Sequence, residues 1–138
     1  PTSKMSKSAA TDAGLISMLD DPALVMKKFK RAVTDSDNEV RFDRAAKPGV
    51  SNLLEILAAC TGGTPEALAA NYTQYGALKV DTGEAVVATL APIQARYNEL
   101  MADPGELQAL LRKGAEKARA VASVVLARAQ TALGLTPA

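Results

Sequence analysis

Histidine and tryptophan are absent from this chain, and cysteine occurs once, at Cys60. Without histidine the sequence lacks the usual acid–base group at neutral pH and the commonest metal ligand. A single cysteine closes no intramolecular disulfide and builds no cysteine zinc site. Cys60 follows Leu57, Ala58 and Ala59 in an apolar run, so it reads as a buried structural thiol, in keeping with a reducing, cytoplasmic compartment. Aromatics make up 4% of the chain against an apolar share of 48%, so its core must be assembled from Ala, Leu and Val, which favours closely packed helices. No apolar run approaches the ~20 residues that span a bilayer, and nothing resembles a secretory leader. Sixteen basic residues face fifteen acidic ones, so a polyanionic partner would have to be met by a local patch rather than by net charge.

What the chain does carry is concentrated at its start, in Lys4-Met5-Ser6-Lys7-Ser8. Two ammonium groups three residues apart, interleaved with hydroxyls and followed by Ala9, Ala10, Thr11 and Gly14, suit a loop that wraps phosphates. Lysines bring point charges with rotatable donors, and hydroxyls and backbone N–H groups add hydrogen bonds. On composition alone a disordered tail or basic leader is the more natural reading of such a stretch.

Along the rest of the chain the pattern is helical. Gly14 to Leu19 is short and apolar, a strand or an irregular link. Asp21-Pro22 reads as an N-cap and a first helical proline, followed by an apolar face of Val25, Phe29, Ala32 and Val33. The opposite face carries Lys27, Lys28, Lys30 and Arg31, the densest positive cluster, suited to a solvated face or to phosphate contact. Residues 34–39 are turn material, Val40 to Asp43 a brief extended piece, and Lys47-Pro48-Gly49 a break. Ser51-Asn52 then opens a helix through Leu53, Leu54, Ile56 and Leu57 that Gly62-Gly63 ends. Thr64-Pro65-Glu66 caps a short helix to about Tyr72, and Thr73 to Lys79 reads as a loop. Asp81 with Glu84 gives a capping pattern for a helix bearing Val86, Leu90, Ile93, Tyr97 and Leu100, with Pro92 as a kink. Asp103 caps a last helix, roughly thirty residues and on the order of 45 Å long, ending at Gly134-Leu135. Its stripe of Leu107, Leu111, Ala118, Val121, Val125 and Ala129 is small enough for a neighbouring helix to approach closely. With no strand pattern strong enough for a sheet, the fold class is all-α.

The pentapeptide is, letter for letter, the Lys-Met-Ser-Lys-Ser signature of class I aminoacyl-tRNA synthetases. Beyond it, residues 32–36 (Ala-Val-Thr-Asp-Ser), 41–43 (Arg-Phe-Asp), 47–54 (Lys-Pro-Gly-Val-Ser-Asn-Leu-Leu), 92–97 (Pro-Ile-Gln-Ala-Arg-Tyr) and 114–118 (Gly-Ala-Glu-Lys-Ala) resemble the C-terminal part of the bacterial tryptophanyl-tRNA synthetase family, in its order and approximate spacing. Residues 47–54 are the most specific. The related tyrosyl enzymes usually carry a different phosphate signature and often an appended RNA-binding domain. One departure is Ala9-Ala10, where bacterial members often have Asp-Pro, which bears on the path of the loop.

The resemblance implies an enzyme that activates tryptophan with ATP to tryptophanyl-adenylate and transfers it to its tRNA. Lys4 and Lys7 would be the catalytic pair, stabilising charge on the departing pyrophosphate with Mg²⁺; Lys4, Met5, Ser6, Lys7 and Ser8 would together bind the ATP phosphates. It also implies a division at residue 20: residues 1–20 as the loop and stub of a catalytic domain, 21–138 as a helical anticodon-binding bundle. The nucleotide-binding Rossmann half with its His-Ile-Gly-His-type signature would precede residue 1, so the chain reads as a fragment or processed product, inactive alone and holding no cofactor by itself. The family's homodimer forms through catalytic domains, which leaves a monomer open for this piece. Candidates for tRNA contact are Lys27, Lys30, Arg31, Arg112, Lys113, Lys117 and Arg119, with Tyr75 and Tyr97 as stacking surfaces for bases, although Tyr97 also falls on the apolar stripe. Two other readings are a non-catalytic tRNA- or protein-binding module and a purely structural bundle. An upstream Rossmann half would separate the first reading from the second; salt-dependent tRNA binding would separate both from the third.

Overall fold

Proline starts four of the five helices, because its fixed φ suits the first turn and its missing N–H is not needed there. The computed structural model describes residues 12–135. A 3-10 turn at Asp12–Gly14 is followed by α1 (Pro22–Lys30), α2 (Pro48–Thr61), α3 (Pro65–Ala69), α4 (Tyr75–Ala102) and α5 (Pro104–Ala132). No strand occurs among the described residues, so the fold is all-α, as the patterning implies.

Three N-caps act as read from sequence. Asp21 accepts from the Ala23 N–H at 2.8 Å, Thr64 from Ala67 at 3.3 Å and Asp103 from Glu106 at 3.0 Å. The last helix closes in a Schellman motif: Gly134, at φ 69°, donates to the Thr131 carbonyl at 3.1 Å and Leu135 to Gln130 at 2.8 Å.

The chain forms two compact units, divided between residues 95 and 96. The first unit holds the core: Val25 and Phe29 of α1, Val50, Leu53, Leu54 and Leu57 of α2, Ala69 of α3, and Tyr75 and Leu78 of α4. The second comprises the end of α4 and α5. There Arg96 bridges Glu99 at 3.0 Å and Glu106 at 2.8 Å, joining the two helices at their turn.

Several expectations change. Helix α2 starts at Pro48, not at Ser51, so the expected break is the helix's first turn. Helix α4 starts at Tyr75, inside the stretch read as a loop, and Asp81 lies within it. Burial of Tyr75 and Leu78 draws that turn into the helix, outweighing the cost of Gly76 and the capping signal. Asp81 accepts the Tyr72 hydroxyl at 2.9 Å instead of capping. Burial and that hydrogen bond push the Tyr72 phenol up to about 12. Helix α1 stops at Lys30, which leaves Val33 exposed rather than on the apolar face. Cys60 is half-buried, not enclosed. Finally, the α5 stripe is open: Leu111, Val121 and Val125 are all more than half exposed.

Candidate functional site

The stretch between the phosphate signature and α1 is shaped by backbone polar groups. A tight turn brings the Asp20 N–H to the Ser17 carbonyl at 3.0 Å, while the Asp20 carboxylate accepts the Ser17 N–H at 3.1 Å. Lys28, reaching back from α1, donates to that carboxylate at 2.6 Å and to the Leu15 carbonyl at 2.6 Å. The Lys28 hydrogen bond, supported by the Ser17 amide, holds the Asp20 carboxyl below its usual range. From α4, the Gln94 amide donates to the carbonyls of Met18 at 2.9 Å and Asp20 at 3.0 Å. Lys28 therefore leaves the exposed positive cluster in which the sequence placed it; its side chain is 13% exposed and two of its three donors are committed.

A second polar centre forms around Lys47, the largest fully buried side chain among the described residues. Its ammonium donates to Asp35 at 3.0 Å, Asp37 at 3.3 Å and the Tyr75 hydroxyl at 3.1 Å. The same hydroxyl donates to Asp35 and accepts the Glu39 N–H at 3.2 Å. Hydrogen bonds from Tyr75 and then Lys47 hold the Asp35 carboxyl down at about 2. Burial alone would lower the Lys47 pKa, but the three oxygen partners outweigh it and raise it above the ordinary ammonium range. Tyr75 is thus a buried tether, 7% exposed, and no stacking surface for a base. Tyr97 shows the reverse: it is 42% exposed and outside the core, although it falls on the apolar stripe of the sequence. Sequence patterning gave no hint of Lys47, since an isolated lysine before proline looks like a solvated loop residue.

Lys27, Lys30 and Arg31 are exposed at the close of α1, within one turn of each other. Arg112, Lys113, Lys117 and Arg119 are exposed along α5, with Lys113 and Lys117 one turn apart on one face. None of these seven cations enters an ion pair among the described residues, whereas Arg41, Arg44 and Arg96 do. The two groups fall in different units of the chain, and each stands by itself. Lys4, Met5, Ser6, Lys7 and Ser8 lie outside the described residues. Among the described residues no cluster of three His, Cys, Asp or Glu side chains could cage a metal, and no helix is long and apolar enough to cross a membrane.

Comparison with known proteins decides the family. The profile described as tRNA synthetases class I (W and Y) matches residues 1–96. The chain belongs to that family. Among the curated class I synthetases it resembles, tryptophan–tRNA ligase 1 of Streptomyces avermitilis is 54% identical over all 138 residues, and the tryptophan–tRNA ligase of Mycobacterium leprae is 53% identical over 99% of the chain. The matched region spans 42% and 40% of those proteins, about two fifths of their length. The crystal structure of tryptophanyl-tRNA synthetase from Mycoplasma pneumoniae superposes with a TM-score of 0.84 at 33% identity, covering 98% of this chain and 42% of that one. Helical architecture and family membership therefore agree.

Proposed function

We propose that the chain is the C-terminal portion of a tryptophan–tRNA ligase, supplying the phosphate signature and a helical tRNA-binding region to an enzyme that makes tryptophanyl-adenylate and charges tRNA. The observation that carries this reading is the intact Lys4-Met5-Ser6-Lys7-Ser8 in a chain matched along its whole length by tryptophan–tRNA ligases. In the reaction, the tryptophan carboxylate attacks the α-phosphorus of ATP in line and pyrophosphate departs. The ammonium groups of Lys4 and Lys7 stabilise the charge that grows on the leaving group. Ser6 and Ser8 add hydrogen bonds to phosphate oxygens. Magnesium would travel on the phosphates of ATP, as is usual for that ion.

On this reading residues 1–20 belong with the catalytic half and 21–138 with anticodon recognition. The unpaired cations of α1 and α5 are its candidate phosphate contacts. Catalysis and the homodimer both require the catalytic half, so this piece alone forms no adenylate. The test is Lys7→Ala in the whole enzyme: losing one donor to developing charge lowers the rate of adenylate formation by roughly 10²–10³-fold. Tryptophan affinity stays close to wild type. A pre-steady-state rate that does not change would overturn the proposal.

A further inference from the structure

Val33 is the most exposed large apolar side chain among the described residues, at 87%, and its backbone is fixed on both sides. One residue earlier, Ala32 packs half-buried against the core, and its N–H donates to the Phe29 carbonyl at 3.0 Å. The Val33 carbonyl oxygen itself is seated against Gly49, where a Cβ would stand 2.3 Å from it. Two residues later, Asp35 accepts from the Lys47 ammonium at 3.0 Å and from the Tyr75 hydroxyl. The side chain is β-branched and therefore stiff. An apolar group that adds almost nothing to the core is thus presented to water on a rigid backbone.

A lone exposed valine is ordinary; this one continues a cationic face. Arg31, the C-cap of α1, keeps right-handed helical angles and donates its N–H to the Lys27 carbonyl at 3.2 Å, so the two side chains lie one turn apart on one side, with Lys30 beside them. All three are exposed and enter no ion pair among the described residues. Val33 follows Arg31 by two residues, within about 7 Å along the chain. We propose that the surface from Lys27 to Val33 takes a single-stranded stretch of tRNA, the cations meeting its phosphates and Val33 packing against a splayed base or ribose. This rests on the reading that the chain binds tRNA. Charge complementarity selects a polyanion. The apolar group selects a single strand, because a helical stem keeps its base faces stacked inside while unstacked nucleotides expose theirs. A side chain already held in place gives up little freedom on binding. The nearest carboxylates in sequence, Asp35 and Asp37, both pair with Lys47, which tempers their repulsion of a phosphate.

The test measures tRNA binding by the whole enzyme across a salt series, with Val33→Ser, Val33→Ile and Arg31→Ala. Both positions are exposed, so the fold should survive each change, and thermal melts check that it does. Val33→Ser should weaken binding about threefold to tenfold without altering the slope of log affinity against log salt, because apolar surface is lost and charge is not. Val33→Ile keeps the apolar surface and should bind as the wild type does. Arg31→Ala should weaken binding and reduce the slope by about 0.7, the share of one single-stranded phosphate. Undiminished binding by Val33→Ser, or an equal loss in Val33→Ile, overturns the apolar contact. A slope that Arg31→Ala leaves in place overturns the joint surface. In either case the wild-type enzyme still binds tRNA and the proposed function stands. A whole enzyme that binds no tRNA, or one in which Lys7→Ala forms adenylate at full rate, removes the proposed function itself.

Discussion

Burying an ammonium is unfavourable unless hydrogen-bonding oxygens replace its water, and Lys47 has three within 3.3 Å. Asp35 is the partner it shares with Tyr75, so removing the Asp35 charge leaves a buried cation short of compensation. Asp35 has its carboxyl depressed from 3.8 to about 2. A depressed folded-state value means stability that is fully present above the ordinary carboxylate range and lost as pH falls through the folded one. Melting temperature should therefore drop between about pH 4 and pH 2. In Asp35→Asn the melting temperature at neutral pH is lower and that acid-side slope is flatter, as thermal melts across the pH range would show. On the alkaline side the signs reverse: Tyr72 and Lys47 are both raised, so their contribution is present below about pH 10 and declines as pH climbs past it.

At the scale of elements, the stretch that most resembles the family is explained by packing. In residues 47–54, Lys47 is the buried cation and Pro48 starts α2. Val50, Leu53 and Leu54 fill the core, and the Ser51 hydroxyl accepts the Asp43 N–H at 2.9 Å. Gly49 has the tightest requirement: a Cβ there would stand 2.3 Å from the Val33 carbonyl oxygen, a backbone atom that cannot swing aside. Gly49→Ala should cost about 1–3 kcal/mol or more, read as a shift in denaturation midpoint. These features also show why legibility was uneven. The starts of α1, α3 and α5 were readable because capping is local chemistry written in adjacent residues. The start of α4 was not, because Tyr75 and Leu78 become helical through contacts made far along the chain. Lys28 misled for the same reason: its periodicity places it with Lys27 and Lys30, but its partners, Leu15 and Asp20, lie on another segment. The signature at residues 4–8 was legible as chemistry, being a string of letters, while the contacts of Lys28 and Gln94 with residues 15–20 were not.

For the whole molecule, the near-neutral balance of charge conceals an uneven distribution. Acidic residues are drawn into pairs around Arg41, Arg44, Lys47 and Arg96, while seven cations of α1 and α5 have no such partner among the described residues. Unpaired ammonium and guanidinium groups are what release counterions from a nucleic-acid backbone. In the whole enzyme, each of Lys27→Ala and Lys113→Ala should weaken tRNA binding and reduce the slope of log affinity against log salt by about 0.7 if it meets one single-stranded phosphate. A slope that does not move removes that residue from the interface.

The exposed stripe on α5 has a further consequence. Residues up to 95 enclose a core, but the 29 residues of α5 bury none of their side chains. A helix in that condition depends on its caps and its backbone hydrogen bonds and gains little from burial. Its backbone amides should therefore exchange with solvent faster than those of α2, whose apolar face is buried.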